Sequence, residues 1–479
     1  MRAWLINIVV FVAAAAVLVL EIVAGRILAP YVGVTLESFT AIIGTVLAAI
    51  AVGAWAGGRL ADRGGAGAAL GPVLAIGGIL AVVSPSFVYL VGDDLVGSSG
   101  ATAVVLAAIG FFAPAAVLSM VTPLAAKVQL TNLDDTGSVV GSLSAIGTAG
   151  ALFGTFVTGF VLIAALPSRP ITWSVAACLL LLAVVVAAPS SRRWVLVGGV
   201  VLVVSVIGSA AIAGPCDTES AYYCVRIVPD ETRPTGRTLM LDISHHSYVD
   251  VADPTFLGFR YARLFAAIID AEIPGTPIDA LFIGGGGFTI PRYLKATRGG
   301  TSTVLELDRG LVTIAEERLG LVGGDWLRIV TGDARLTIRH EESDAYDVVV
   351  GDAFSSLAVP WHLTTKEFLE EVRGKLRAGG LYIMNVIDRP QTRFVRAELK
   401  TLAKVFDHVA VAAPASYLTG PDAGNFVLVG STEPLDALTT EGNLPAGETV
   451  LIDDAAIEWA SDAVILTDEF APTDQLLRE

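Results

Sequence analysis

One run of glycines and four acids in the second half of this 479-residue chain have the types and spacing for chemistry on a small molecule. The glycines are Gly284, Gly285, Gly286 and Gly287; the acids are Glu306, Asp308, Asp333 and Asp352. Consecutive glycines let a backbone approach a ligand without interference from Cβ atoms. Glu306 stands 22 residues beyond Gly284. In dinucleotide- and nucleoside-binding folds an acid about 20 residues after such a turn hydrogen-bonds a ribose hydroxyl. Asp333 lies in Thr331-Gly-Asp-Ala334, and Asp352 in Val350-Gly-Asp-Ala-Phe-Ser-Ser356. One acid at a strand end is usually a helix N-cap. Acids repeated at successive strand ends point to a bound polar ligand, at the edge where such sheets bind ligands.

The elements that must position these groups are legible as alternating strands and helices from Ala280 onward. Strands are expected at 280–284, 302–308, 327–331, 346–352, 380–387, 408–414 and 425–431, and helices at 289–297, 309–320, 362–377 and 391–405. Buried runs such as Tyr346-Asp-Val-Val-Val350 suit a parallel sheet covered on both faces. The expectation is a doubly wound, Rossmann-like α/β domain of seven strands, of the methyltransferase type. Before it, residues 222–253 alternate apolar and polar around the turn Pro234-Thr-Gly236-Arg, as in a hairpin or small antiparallel sheet. Residues 255–271 then read as an amphipathic helix, and residues beyond about 433 as an acidic tail of weak periodicity.

The first half is of another kind. The chain is 54% hydrophobic and only 16% charged, against ~25% charged in ordinary soluble domains. Residues 1–213 carry 8 Lys+Arg and 7 Asp+Glu, whereas residues 214–479 carry 23 and 40. Seven apolar segments, near 4–25, 38–60, 68–91, 101–125, 138–165, 170–188 and 194–213, are long enough to span a bilayer. The expected architecture is therefore an α-helical transmembrane bundle followed by the α/β domain. Its boundaries are placed at 1–213 for the bundle, 214–272 for the small β domain with its helix, 273–432 for the Rossmann-like domain and 433–479 for the tail.

With the amino terminus inside, Arg2, Arg59, Arg63, Lys127, Arg192 and Arg193 fall in inner loops, and only Arg26 and Arg169 in outer ones. That bias favours this orientation and puts the soluble part outside the cytoplasm. Cys216 and Cys224, close together after the last span, are a disulfide candidate on that side, or two free thiols. Glu21 and Arg26, near the end of the first span, either snorkel or line a polar cavity. The acidic soluble half would repel nucleic-acid phosphates. His245 and His246 are adjacent, so on a strand they face opposite ways, and no metal is expected.

Taken as a set, Ile283-Gly-Gly-Gly-Gly287, Leu305-Glu-Leu-Asp308, Gly332-Asp-Ala334 and Tyr346-Asp-Val-Val-Val-Gly-Asp352 resemble the spermidine synthase (aminopropyltransferase) pattern. Glu21, Arg26-Ile-Leu-Ala-Pro30, Gly57-Gly-Arg-Leu-Ala-Asp62 and Pro360-Trp-His-Leu-Thr-Thr365 are similar to segments of bacterial spermidine-synthase-like proteins fused to membrane spans. The resemblance implies that the glycine turn, Glu306 and Asp308 hold the methionine-ribose part of decarboxylated S-adenosylmethionine or a related adenosyl sulfonium. It places Asp333 and Ala334 against the adenine and Asp352 as the catalytic base; His246, near the hairpin, and Tyr261, from the preceding helix, are further candidates for ligand binding. No prosthetic group is implied. The partners expected are the lipid bilayer, a small-molecule amine and a second copy of the chain.

The departures from the pattern fall on the reacting half of the site. The family's turn carries an aspartate where Gly287 stands, its catalytic loop carries a second acid where Ser355 stands, and its hairpin carries a glutamine where His246 stands. Three readings follow. The chain is a membrane-anchored aminopropyltransferase, a nucleoside- or polyamine-binding module coupled to a transporter-like membrane half, or a methyltransferase-like enzyme on another acceptor.

Overall fold

A computed structural model describes residues 2–96, 100–130, 132–187, 192–275, 277–354 and 359–477. The chain divides into two compact units, Met1–Arg226 and Ile227–Glu479.

Among the described residues of the first unit, seven helices are long and apolar enough to cross a membrane. They are α1 (Ala3–Val32), α2 (Leu36–Asp62), α3 (Ala66–Leu95), α4 (Gly100–Gln129), α5 (Thr136–Ala165), α6 (Ser168–Val186) and α7 (Arg192–Ala211). Helices α4 and α5 each contain one π-turn, at Ala108–Phe112 and Thr158–Leu162.

Small residues set the closest packing. A Cβ at Gly150 would stand 2.2 Å from the Phe11 carbonyl oxygen, and one at Gly154 2.4 Å from that of Ala15. Helices α1 and α5 thus approach backbone to backbone along one seam, as small residues allow in membranes. Gly53 and Gly57 do the same for α2 against Ala116 and Met120 of α4.

At the end of that seam Arg26 is fully engaged. Its guanidinium donates to the carbonyl oxygens of Ile163 (3.1 Å) and Ser220 (2.5 Å) and pairs with Glu219 at 3.3 Å. Glu219 also accepts from the backbone N–H and hydroxyl of Ser168, at 2.9 and 2.7 Å. Arg26 is therefore a tied-down cation. The loop that supplies Glu219 and Ser220 is closed by a Cys216–Cys224 disulfide. Short strands β1 (Thr218–Glu219) and β2 (Cys224–Pro229) pair antiparallel within it.

The second unit opens with the antiparallel pair β3 (Gly236–Leu241) and β4 (Ser244–Asp250). Both strands lie within residues 222–253, where a hairpin or small antiparallel sheet is expected. Besides the expected turn at Pro234–Arg237, a second turn at Asp242, held at φ +52°, reverses the chain into β4. Helix α8 (Arg260–Glu272) follows.

Then come β5 (Ala280–Ile283), α9 (Thr289–Thr297), β6 (Ser302–Glu306), α10 (Arg309–Arg318), β7 (Leu327–Thr331), a single turn α11 (Ala334–Thr337), β8 (Tyr346–Gly351), α12 (Lys366–Arg373), β9 (Leu376–Asp388), α13 (Arg393–Leu402), β10 (His408–Pro414), β11 (Gly424–Ser431) and β12 (Glu448–Ile452). Eight strands form one mixed sheet in the order β12-β10-β11-β9-β8-β5-β6-β7. The strands from β9 through β8, β5 and β6 to β7 run parallel; β11, β10 and β12 join antiparallel.

The eighth strand is the addition to the seven expected. It comes from the stretch read as a tail, and Leu435, Leu438, Ala456, Ala460 and Leu466 of that stretch are buried. Alternation along β5 splits the core: Ala280 and Phe282 face one layer with α8 and α9, Leu281 and Ile283 the other with α12 and α13. Strand order reverses between β5 and β8, so their carboxyl ends open the crevice where doubly wound sheets take ligands.

Candidate functional site

The glycine turn and Asp352 emerge side by side at that reversal. Asp352 donates its backbone N–H to the Ile283 carbonyl at 3.0 Å, and Gly284 donates to Leu305 at 2.9 Å. Gly284 has φ +94°, and a Cβ there would sit 2.6 Å from the Asp352 carbonyl oxygen. Only glycine permits both the conformation and the crossing.

From the turn onward the N–H groups are spoken for. Gly285 donates to Glu306 at 2.8 Å, Gly286 to the same oxygen at 3.4 Å, and Gly287 to the Ser247 hydroxyl at 3.0 Å. The other Glu306 oxygen accepts from the Asp308 N–H at 2.8 Å. Burial pushes the Glu306 carboxyl upward, while these backbone donors pull it back. Glu306 is thus the brace of the turn, and with about four lone-pair positions on a carboxylate it retains capacity for a ligand hydroxyl.

Asp352 faces a narrow cleft whose lining includes Ser247, Tyr261, Gly284, Gly285 and Thr289. The carboxyl touches the cleft yet lies deep in the domain, and burial raises its pKa to about 6. Asn385 Nδ2, donating at 3.0 Å, and the Tyr261 hydroxyl oppose that rise. The result is a carboxylate poised near neutrality to accept a proton. Tyr261 also reaches the His246 carbonyl at 3.3 Å. Burial lowers the His246 imidazole to about 4, so at neutral pH the ring is uncharged.

The remaining expected residues lie along the same sheet edge in local roles. Asp308 is 1% exposed and caps α10 by accepting from Gly310 at 2.8 Å. Asp333 caps α11 by accepting from Arg335 at 2.8 Å, and faces His362 Nε2 at 3.4 Å. Ala334 is buried beside it. The structure therefore gathers Gly284–Gly287, Glu306, Asp352, Tyr261 and His246 around one turn. Asp308 and Asp333 cap helices at the ends of the next strands. Ser355 lies outside the described residues.

Two positions at the site were not anticipated. Asn385 interrupts the apolar run Leu381-Tyr-Ile-Met-Asn-Val386 inside β9; a lone amide there needs a partner, and that was the available signal. Ser247 falls within the expected β region 222–253, but nothing in its type or spacing marked it as a partner of the glycine turn. A second, apolar cavity of about 240 Å³ adjoins Asn385, lined by Val359, Leu363, Phe368, Tyr382 and Met384 among others. Among the described residues, no cluster of three or more His, Cys, Asp or Glu is placed to hold a metal ion.

Gly287 repays a closer look, because its side-chain space is filled. A Cβ there would lie 2.8 Å from Val249 Cγ2 and 2.9 Å from Ser247 Cβ. An acid at 287 requires β4 to shift. Gly287→Asp is expected to lose about 1–3 kcal/mol of stability through overpacking, measured by thermal unfolding of the purified protein. Combining it with Val249→Ala should recover part of the loss. A Gly287→Asp protein as stable as the parent would show that β4 yields freely.

No protein-family model matches the chain. It is 26% identical over 221 residues to a polyamine aminopropyltransferase of Vibrio vulnificus, covering 42% of this chain and 70% of the relative. It is 25% identical over 397 residues to polyamine aminopropyltransferase 2 of Streptomyces coelicolor, covering 77% and 70%. The chain is spermidine synthase-like. A solved structure of a probable spermidine synthase from Corynebacterium glutamicum is 27% identical to it, with a TM-score of 0.47, covering 53% of this chain and 96% of that one. This spermidine synthase-like chain also carries seven long apolar helices among its described residues, all in the first unit.

Proposed function

We propose that the protein is a membrane-anchored aminopropyltransferase that uses decarboxylated S-adenosylmethionine and an amine acceptor, with Asp352 as general base. The observation that carries the proposal is the Asp352 carboxyl beside the glycine turn, with a pKa raised to about 6 by burial and held by Asn385 and Tyr261. The acceptor amine attacks the aminopropyl carbon next to sulfur. A C–N bond forms, the C–S bond breaks, and its electron pair leaves with 5′-methylthioadenosine. The proton lost by the amine passes to Asp352. Alkylamines are mostly protonated at pH 7, as the lysine value of about 10.4 shows, so a positioned carboxylate and alignment of the attack supply the rate. Glycine turn, Glu306 and Asp308 would bind the nucleoside ribose, and Asp333 with Ala334 the adenine. The likeness to polyamine aminopropyltransferases supports the reaction class.

A second reading, a nucleoside-binding module that does not transfer, is favoured by one observation. Where the pattern has an acid to grip the donor, Gly287 meets Ser247 and Val249 instead. Calorimetric titration of the full-length protein with 5′-methylthioadenosine and with decarboxylated S-adenosylmethionine, followed by a product assay with a diamine, separates the two. The transferase reading expects binding of both and product. Binding without product supports the module, and binding of neither removes both readings.

The seven spans suit a bilayer, and we place the second unit on the extracytoplasmic side. The Cys216–Cys224 disulfide supports that side, because such bonds persist in oxidising compartments. In intact cells carrying Cys178→Ser, a membrane-impermeant maleimide is expected to label the pair only after an impermeant reductant is added. Labelling that requires permeabilisation would reverse the orientation. On the outer side the adenosyl sulfonium must be supplied across the membrane, since it is made within.

A further inference from the structure

Asp352 is held by two donors, and neither is aimed by its own element alone. Asn385 could present either its oxygen or its nitrogen to the carboxyl. The ionised carboxylate only accepts, so Asn385 turns Nδ2 to Asp352 at 3.0 Å and leaves Oδ1 to accept from Asn425 Nδ2 at 2.9 Å. Asn425 leads β11, and its own carbonyl accepts from Arg260. Arg260 immediately precedes Tyr261, the second donor, at the start of α8. The guanidinium is in turn clamped by Glu448 of β12, whose two oxygens accept at 2.9 and 2.7 Å. The Glu448 side chain is 3% exposed, so the pair is shielded from solvent on the acid's side.

We infer that Arg260, clamped by Glu448, is the positioning residue for Asp352: one guanidinium ties the start of β11 to the start of α8 and so aims both hydrogen-bond donors at the carboxyl. This rests on the reading of Asp352 as the base. The planar fork of arginine suits a group that must hold a carboxylate and a carbonyl together, which a lysine ammonium does less rigidly. The strand read from sequence as a tail thereby contributes a charge to the catalytic machinery without touching substrate. Tyr261 of α8 is the titratable group facing Asp352, with Asn385 of β9 its neutral donor. Neutral His246 of β4 and Glu306 at the end of β6 flank the adjoining turn. Donors to the charged form lower a carboxyl pKa. Loosening them raises it and moves the acid limb of the rate profile to higher pH.

The test uses the full chain in lipid nanodiscs with Arg260→Lys and Glu448→Gln. Both are expected to bind 5′-methylthioadenosine as the parent does, to lose kcat about tenfold with KM little changed, as for one misaimed hydrogen bond, and to shift the acid limb upward. Unchanged kcat with an unmoved acid limb in both variants overturns the inference. An isotope-edited infrared titration of the Asp352 carboxyl, taken against Asp352→Asn, reads the same effect without turnover. Its midpoint should rise in both variants, and an unmoved midpoint sinks the inference. A parent protein that binds but yields no product sinks the proposed transfer reaction, leaving the positioning result to the infrared measurement. Should one variant fail to fold, the other carries the test.

Discussion

Asp352→Asn is expected to cut turnover by roughly 10²–10⁴-fold, the usual worth of a positioned general base. Binding of 5′-methylthioadenosine should survive, because the glycine turn and Glu306 do not depend on the base's charge. In the parent, kcat should fall about tenfold per pH unit below about 6, where Asp352 takes up its proton. The variant's residual rate should lack that limb. The same substitution should change stability with a definite sign. The folded value lies above the ordinary 3.8, because burial disfavours the charged form. Stability from this group is therefore complete below about 3.8 and is lost as pH rises through about 6. From that shift the cost above pH 6 is about 3 kcal/mol. Asparagine does not ionise, so Asp352→Asn should unfold at a higher temperature than the parent at pH 8 and at a similar temperature at pH 4. Equal turnover in parent and variant would remove Asp352 as base; equal melting at pH 8 would remove the buried charge as a liability.

Gly284→Ala is expected to disable the site by geometry alone. At φ +94° an alanine is strained, and its Cβ would meet the Asp352 carbonyl oxygen at 2.6 Å. That neighbour is backbone at the end of a central strand, so it cannot swing aside as a side chain could. Strain and overpacking together should cost about 3 kcal/mol or more. The affinity for 5′-methylthioadenosine should drop at least tenfold, because the turn and the carboxyl move together. Gly323→Ala is the matched control: its Cβ would meet nothing within 4 Å. Calorimetry and thermal unfolding of the two variants give the contrast. Gly284→Ala binding at parental strength would show that the turn is not part of the ligand cleft.

The sequence made the elements legible wherever burial was uniform. Seven apolar runs became seven long helices, and Tyr346–Gly351, buried on both sides, became a central parallel strand. What escaped notice has a physical cause in each case. The edge strand Glu448–Ile452 is half-buried at every position, so it shows no alternation to read. The turn into β4 places Asp242, not glycine, at positive φ, and so lacks the usual punctuation. Asn385 could be noticed as polar but not paired, since Asn425 lies 40 residues away and meets it only across the β9–β11 register. The spacing of Gly284 and Glu306 suggested a ligand contact, whereas in the fold Glu306 first accepts from Gly285, the next residue of the turn.

Arg26 poses a problem of timing. Its acceptors stand 137 and 194 residues later in the chain, at Ile163 and Ser220. At synthesis rates of roughly 5–20 residues per second, α1 waits on the order of ten seconds or more before any of them exists. Throughout that interval the glycine seam of α5 against α1 has not been made. The contacts described for α1 at Arg26 therefore form only after α5 and the Cys216–Cys224 loop have been made. Assembly of this helical unit is in that sense a delayed closure, completed by its fifth helix and the Cys216–Cys224 loop.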